Sequence, residues 1–180
     1  MAVYLGNEKI TDIKCPSWDF QKAFFNAGGH CGHSTNTTSF VGAIAYDSTS
    51  DMTDMSYFFE QCTKLKEIPL FNTGKVTSMG YMFYSCSSLT AIPQLDTGNV
   101  TSMNYMFGNC SSLTSIKMKN MKVNFDIHYS TKMEREALVE VLNNLATVTS
   151  TKTLTLGSTL LAKLTDTDKA IATNKGWTLA

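Results

Sequence analysis

The middle of the chain repeats every 24 residues, and this period limits the possible folds more than any other feature of the sequence. Three copies align without a gap from Met55, Met79 and Met103. A unit of this length cannot bury its own apolar side, so successive units must stack against one another. The apolar positions that recur are Phe59, Cys62, Leu65 and Ile68; Phe83, Cys86, Leu89 and Ile92; and Phe107, Cys110, Leu113 and Ile116.

Each unit is predicted to contain a strand, a turn and a short helix. Residues 89–95 have the pattern of a strand, and the polar residues 96–99 follow as a turn. Apolar side chains at Met103, Met106 and Phe107 then have the spacing of one helical face. The expected fold class is therefore α/β, a short solenoid of 24-residue repeats with its apolar side chains pointing inward.

Segments without the clear repeat lie on both sides and divide the chain into three parts. Residues 1–35 are expected to form a small N-terminal module, with a hairpin at Gly6-Asn7 and a helix over 18–25. Residues 36–123 form the solenoid, which starts with a degenerate unit. Residues 124–180 are expected to form an α/β C-terminal cap that seals the last repeat.

Capping signals locate the helices of the C-terminal cap. Thr131 and Glu134 have the spacing of a capping box and predict a helix over 132–146. The other elements expected are a strand over 153–156, closed by Gly157, a helix that opens at 165–168, and a last strand over 177–179.

Charge and hydropathy exclude two classes of partner. The 15 basic and 15 acidic residues give a formal net charge of zero, without a run of either sign. We therefore expect no nucleic-acid partner. No stretch of about 18 apolar residues occurs, so no membrane span is expected. The N-terminus lacks the basic start and apolar core of a signal peptide, which favours synthesis in a cytosol without export.

Three of the five cysteines, Cys62, Cys86 and Cys110, occupy one repeat position. Equivalent positions of stacked units form a column, and a small thiol is a common filler of such a column. Buried free thiols are the favoured interpretation. The alternative is disulfides between units, which would need Cβ atoms about 4 Å apart.

No catalytic, cofactor-binding or metal-ligating residues are predicted. The His-Cys-Gly-His segment at 30–33 suits a glycine-rich loop better than tetrahedral zinc, because its donors are too close in sequence. Asp47, Asp51 and Asp54 suggest calcium, but the glycine and glutamate of a calcium loop are missing. Phosphate loops and nucleophile elbows are also missing, so the chain is not expected to be an enzyme or to need a cofactor. A hydrolase remains as an alternative and would use a carboxylate such as Glu67.

Two outward surfaces are candidates for binding. Tyr57, Tyr81 and Tyr105 recur at the repeat period and either pack along the convex side or form an aromatic stripe for sugar. The outward strand positions share no charge or shape, so they indicate a surface without indicating a ligand class. This candidate binding surface consists of Lys66, Glu67, Thr90, Ala91, Thr114, Ser115 and Lys117.

The recurring order Phe-x-x-Cys-x-x-Leu-x-x-Ile resembles the BspA-like leucine-rich repeats. Val-Thr-Ser-Met followed by Tyr-Met-Phe, from Val76 and from Val100, is similar to the subtype found in surface proteins of Mycoplasma, Firmicutes and Bacteroidetes. The closing segment 154–179 resembles the C-terminus of such proteins encoded by phages and prophages of gut bacteria. The opening segment 4–7 is similar to the starts of phage minor structural and tail-associated proteins. The resemblance implies a leucine-rich-repeat solenoid.

The same resemblance implies a non-enzymatic structural protein of a bacteriophage particle, a tail- or head-associated fibre or decoration that displays the repeats for host recognition. The implied partners are other virion proteins, through the N-terminal module, and a host surface protein or glycan. A homo-oligomer, most often a trimer, is also implied. The alternative is an adhesion module on a bacterial cell surface that binds host protein or glycan. The expected location is accordingly the virion or, in the alternative, that cell surface.

Overall fold

The structure, a computed structural model, describes residues 3–5, 8–10, 52–63, 65–68 and 70–180. Several sequence predictions lie outside these residues: the helix over 18–25, the segment 30–33, Asp47, Asp51 and the degenerate first unit.

The three 24-residue units lie side by side and are joined by backbone hydrogen bonds. On one side of the stack, Met55 N–H donates to Ser78 O and Met79 N–H donates to Ser102 O, each at 2.9 Å. On another side of the stack, Thr90 N–H donates to a backbone carbonyl of the preceding unit. Each unit therefore satisfies part of the backbone of its neighbour, which holds equivalent residues in register.

A hairpin is present where Gly6-Asn7 predicts one. Strand β1 (Val3–Leu5) pairs antiparallel with strand β2 (Glu8–Ile10), with Val3 opposite Ile10.

The second and third units each contribute a strand to one parallel pair. Strand β3 (Ala91–Asp96) lies beside strand β4 (Ser115–Lys119), with Ala91 opposite Ser115. The register shifts between Ile92 and Leu95. Pro93, which has no N–H to give to a ladder, lies in the shifted part.

The predicted short helix of each unit is wrong, because the segment consists of overlapping turns. In the first unit Phe58 N–H donates to Met55 O at 3.3 Å and Glu60 N–H to Tyr57 O at 3.1 Å. The N–H groups that alternate with these two donate to carbonyls of the next unit, for example Phe59 N–H to Met82 O at 2.8 Å. An α-helix would direct all these donors to its own carbonyls. Competition from the neighbouring unit therefore replaces the helix.

The core consists of columns of equivalent side chains from successive units. The phenylalanine column Phe59, Phe83 and Phe107 is fully buried, and adjacent rings stack at centroid distances of 5.6 and 6.0 Å. All the recurring apolar positions named from the sequence are buried, as predicted. The other columns include Met55, Met79 and Met103; Cys62, Cys86 and Cys110; Leu65, Leu89 and Leu113; and Ile68, Ile92 and Ile116.

The C-terminal segment contains a second parallel sheet and three helices. The sheet has the order β5 (Phe125–Asp126), β6 (Lys152–Thr155) and β7 (Trp177–Leu179). Trp177 packs edge-on against Phe125 and donates its Nε1–H to Ala146 O at 2.9 Å. The helices are α1 (Arg135–Asn144), α2 (Gly157–Leu161) and α3 (Asp166–Thr173). None of the helices in the described residues is long and apolar enough to cross a bilayer.

The predicted start of one helix is confirmed and the predicted cap of another is wrong. Helix α3 begins where 165–168 predict a helix, and Thr165 and Asp168 form a capping box there. Helix α1 begins at Arg135, with Glu134 as an N-cap that makes no side-chain capping bond. The Glu134 carboxylate instead accepts a hydrogen bond from Lys163 Nζ at 3.0 Å. Lys163, which is distant in sequence, thus binds the Glu134 carboxylate that the predicted capping box requires.

Candidate functional site

The predicted binding surface is assembled from rows of equivalent residues on the strand side of the stack. In the first row Thr90 N–H and Oγ1 both donate to Lys66 O at 3.1 Å. Thr114 N–H and Oγ1 donate to Thr90 O in the same way, at 2.8 and 3.0 Å. The threonine hydroxyl protons are therefore used inside the stack. The two threonines of this row therefore present methyl groups and acceptor oxygens to a ligand.

The second row of this surface has little chemical regularity. Glu67 and Ala91 are exposed, and Ser115 is half-buried beside Ala91. Lys117 is exposed between the buried Ile116 and Met118. The structure thus brings the predicted residues together on one side, but their side chains differ from unit to unit. We name these residues the strand face.

A shallow polar cleft borders the strand face at the far end of the strands. Its central carboxylate, Asp96, accepts hydrogen bonds from Gly98 N–H at 2.9 Å and from Asn120 Nδ2 at 3.1 Å, with Lys119 Nζ at 3.4 Å. Burial acts to raise the pKa of Asp96, but these bonds and the lysine charge outweigh it and lower the pKa. The carboxylate is held mainly by its own neighbours, so we assign it a structural role. The cleft is lined by Leu70, Phe71, Asn72, Thr73, Gly74, Gln94, Asp96 and Lys119.

The three repeat tyrosines form a stacked column on the turn side of the stack. The Tyr57 and Tyr81 ring centroids are 5.0 Å apart, and those of Tyr81 and Tyr105 are 5.1 Å apart. Tyr57 is 42% exposed and Tyr105 is 61% exposed. The sequence leaves open whether these rings pack on the convex side or form an exposed stripe. In the structure they pack on each other and also face solvent. We name them the tyrosine row.

Each residue of the tyrosine row has a left-handed backbone. The φ angles are 63° at Tyr57, 58° at Tyr81 and 54° at Tyr105. This conformation costs roughly 1–2 kcal/mol for a residue with a Cβ, whereas glycine adopts it freely. Tyrosine therefore recurs at a position whose backbone conformation favours glycine or asparagine.

Tyr81, the middle residue of the tyrosine row, keeps its phenol proton over the physiological pH range. Partial removal from water raises the pKa of Tyr81, and the neighbouring Tyr105 and Tyr57 raise it further. The Tyr81 hydroxyl therefore remains a neutral donor and acceptor.

The side chains around the tyrosine row are small, polar and mostly neutral. Tyr84 lies 5.5 Å from Tyr81 between ring centroids, and its ring edge covers Gly108, where a Cβ would come within 2.7 Å. Glu60 is the charged side chain among the described residues of these flanking rows. The rows are Ser56, Gly80 and Asn104; Glu60, Tyr84 and Gly108; Gln61, Ser85 and Asn109; and Thr63, Ser87 and Ser111.

The sequence model of one protein family, described as "Mycoplasma protein of unknown function, DUF285", matches residues 31–138. This range covers more than half of the chain and includes all three repeats. The chain belongs to the DUF285 family. Membership is consistent, at a coarse level, with the resemblance to BspA-like repeat proteins. No curated protein and no solved structure gave a significant match.

The DUF285 match continues beyond residue 123, where the sequence analysis ends the repeats, and includes a further tyrosine. Tyr129 follows Tyr105 by one period and is 45% exposed, while Ile127 follows Met103 by one period and is buried. His128, whose Nδ1 lies 2.6 Å from Asp126 Oδ1, packs on the Tyr129 ring at 3.8 Å. Tyr129 is not among the residues predicted from the sequence. Extending the 24-residue count by one period would have found it.

The DUF285 repeats contain free thiols rather than disulfides. Cys62, Cys86 and Cys110 are all buried and form no disulfide with one another, which confirms the favoured interpretation. Cys86 and Cys110 each donate an S–H to a phenylalanine carbonyl of the preceding unit at 3.0 Å. Burial raises the pKa of the Cys110 thiol to about 12. These cysteines are therefore core residues of low reactivity.

Metal donors do not converge within the described residues. In that part of the chain no three His, Cys, Asp or Glu side chains are placed to hold one ion. Asp54, the described member of the aspartate trio, accepts a hydrogen bond from Ser56 N–H at 2.8 Å. This contact belongs to the turn that opens the first clear unit.

Proposed function

We propose that this DUF285 protein is a non-enzymatic recognition protein, a short leucine-rich-repeat solenoid that presents its outward rows to a protein or glycan on a host cell. The observation that carries the proposal is the register of the stack. Hydrogen bonds such as Thr114 N–H to Thr90 O place equivalent outward side chains beside one another. A surface built in this way gains area with each unit and tolerates changes at outward positions.

The two outward surfaces suit recognition in different ways. The strand face varies between units, so it can be adapted to a particular partner without disturbing the core. The tyrosine row is constant and rigid, and tyrosine supplies a large contact area at a low cost in side-chain entropy.

The setting proposed first is a bacteriophage particle, with the protein as a tail- or head-associated fibre or decoration. Residues 1–35 would attach it to other virion proteins, and it would act as a homo-oligomer, most often a trimer. Support comes from the resemblance of segments 4–7 and 154–179 to phage and prophage proteins. Light scattering of the purified chain tests the oligomer, and a monomer at high concentration counts against it.

The second setting is a bacterial cell surface, where the chain would serve as an adhesion module for host protein or glycan. The family match supports it, because the family is described from Mycoplasma proteins. Mass spectrometry of density-purified particles separates the settings. Stoichiometric presence in particles supports the virion, and presence in the cell-surface fraction alone supports the adhesion module.

Recognition itself is tested by flow cytometry of intact host cells with the labelled full chain. The strand-face variant Glu67→Lys with Lys117→Glu reverses two exposed charges. The turn-side variant Tyr105→Asn removes the most exposed ring of the row. Loss of cell binding with either variant supports the proposal. Equal binding of both variants and the parent chain, or no binding by the parent, refutes it.

A further inference from the structure

We propose that the tyrosine row is a carbohydrate-binding site that takes a neutral oligosaccharide lying along Tyr57, Tyr81 and Tyr105. The proposal deepens the recognition role proposed above and rests on it. It assigns a ligand class to one surface of the stack, the turn side.

An exposed side chain stays constant along the tyrosine row, although its backbone conformation is unfavourable. The strand-face positions differ between units, for example Glu67, Ala91 and Ser115. The tyrosine row keeps one residue type in all three units, although each φ is positive. Strained backbone conformations persist where the side chain is needed. We therefore infer that the tyrosine side chains of this row have a function.

The geometry of the tyrosine column leaves ring surface that a ligand can contact. Parallel rings in van der Waals contact are separated by roughly 3.5–4.0 Å. The Tyr57 and Tyr81 centroids are 5.0 Å apart with an interplanar angle of 8°, so the rings must be offset along their planes. An offset column leaves part of each ring face uncovered. Apolar C–H groups of a pyranose can pack on these strips of ring face.

The polar groups at the tyrosine row are hydroxyls and amides. The phenol hydroxyls, the amides of Gln61, Asn104 and Asn109, and the hydroxyl of Ser85 each offer both donor and acceptor capacity. Asn109 Nδ2 already donates to Ser85 Oγ at 3.3 Å, which shows that these groups are within reach of one another. Sugar hydroxyls likewise donate and accept, so a neutral oligosaccharide matches the groups at this row.

The spacing of the rings predicts a dependence on ligand length. A monosaccharide contacts one ring, whereas a chain laid along the stack contacts three rings that are already ordered by packing. Preordered contacts add affinity with little further loss of entropy. The affinity should therefore rise from monosaccharide to hexasaccharide.

The test is isothermal titration calorimetry of the full chain with maltohexaose, cellohexaose and chitohexaose. At least one should bind, and Tyr105→Asn should weaken that binding by about tenfold or more, because an aromatic side chain in direct contact with the ligand is lost. Asparagine tolerates the left-handed backbone, so this variant removes the ring without adding backbone strain. Tyr105→Phe keeps the ring and should lose only about twofold to threefold. Lys122→Ala, at an exposed residue outside both outward surfaces, is the matched control and should bind as the parent does.

A second measurement needs no variant and protects the test against a misfolded protein. In two-dimensional NMR of the parent chain, the oligosaccharide that binds should shift the tyrosine ring resonances and leave the strand-face amides in place. The proposal is overturned if no neutral hexasaccharide binds, if Tyr105→Asn binds as tightly as the parent, or if the shifts map to the strand face. It is also overturned if a sialylated or sulfated glycan, or a protein, is the ligand of this row.

The failure of this inference and the failure of the recognition role are distinguishable. If host-cell binding is lost with the strand-face variant and kept with Tyr105→Asn, the recognition role stands and the carbohydrate site falls. If neither variant alters cell binding, the recognition role itself fails.

Discussion

Replacing Phe83 by alanine tests whether the phenylalanine column holds the repeats together. Phe83 is fully buried between Phe59 and Phe107, at ring-centroid distances of 5.6 and 6.0 Å. Backbone hydrogen bonds between the units hold the backbone that carries each neighbouring ring. These rings are therefore poorly placed to move into the space that the substitution creates.

The structure sets the size of the expected loss. A buried phenylalanine removes roughly 150–250 Å² from water, which corresponds to roughly 4–6 kcal/mol at about 25 cal/mol per Å². Alanine retains a small part of this, and measured Phe-to-Ala losses in cores are about 3–5 kcal/mol. We expect a loss of about 4 kcal/mol in the free energy of unfolding. That is a large fraction of the roughly 5–15 kcal/mol available to a folded domain.

The assay is urea unfolding followed by far-ultraviolet circular dichroism, with the parent chain and Lys117→Ala measured in parallel. Lys117 is exposed on the strand face, so its replacement should change the free energy of unfolding by less than about 0.5 kcal/mol. A loss below about 2 kcal/mol for Phe83→Ala would show that neighbouring side chains collapse into the cavity. The rigid column inferred from the structure would then be refuted.

Three further predictions concern the cap and the thiols. Hydrogen bonds from Arg135 and Thr165 lower the pKa of Asp168 to about 2, below its usual 3.8. Their stabilisation is therefore complete above about pH 4 and is lost as the pH falls toward 2, and Arg135→Met should flatten the acid-induced fall in Tm over that interval; an unchanged pH profile contradicts the pairing. Thr165→Ala should cost about 1 kcal/mol in urea unfolding because α3 loses its N-cap, and Thr165→Ser should recover most of it. Cys110 should resist iodoacetamide at pH 8.5 in the folded chain and react in urea, as peptide mass spectrometry would detect; rapid labelling of the folded chain would contradict its burial.

The period by itself predicts which side chains face inward. The positions that recur every 24 residues, such as Leu89 and Ile92, are buried in the structure. The capping box at Thr165 and the last strand at Trp177 are also predictable, because both depend on residues within a few positions of one another. Such local patterns do not need the rest of the chain.

The conformation of the repeat turns depends on groups that are distant in sequence. The spacing of Met103, Met106 and Phe107 suits a helix, and overlapping turns also bury all three. The choice between them is made by the neighbouring unit, whose carbonyls take N–H groups such as that of Phe59. Glu134 fails to cap α1 for a similar reason, since Lys163 lies beside it only in the folded chain.

The candidate sites follow the same division. The sequence alone determined the strand face and the recurrence of the three tyrosines, because both depend on position within the period. Only the tertiary structure decided that the rings stack with exposed edges and that the strand-face threonine hydroxyls donate into the stack. The physical reason is that a repeat period fixes which side of the backbone a residue occupies, whereas the partner of each ring or hydroxyl comes from the next unit.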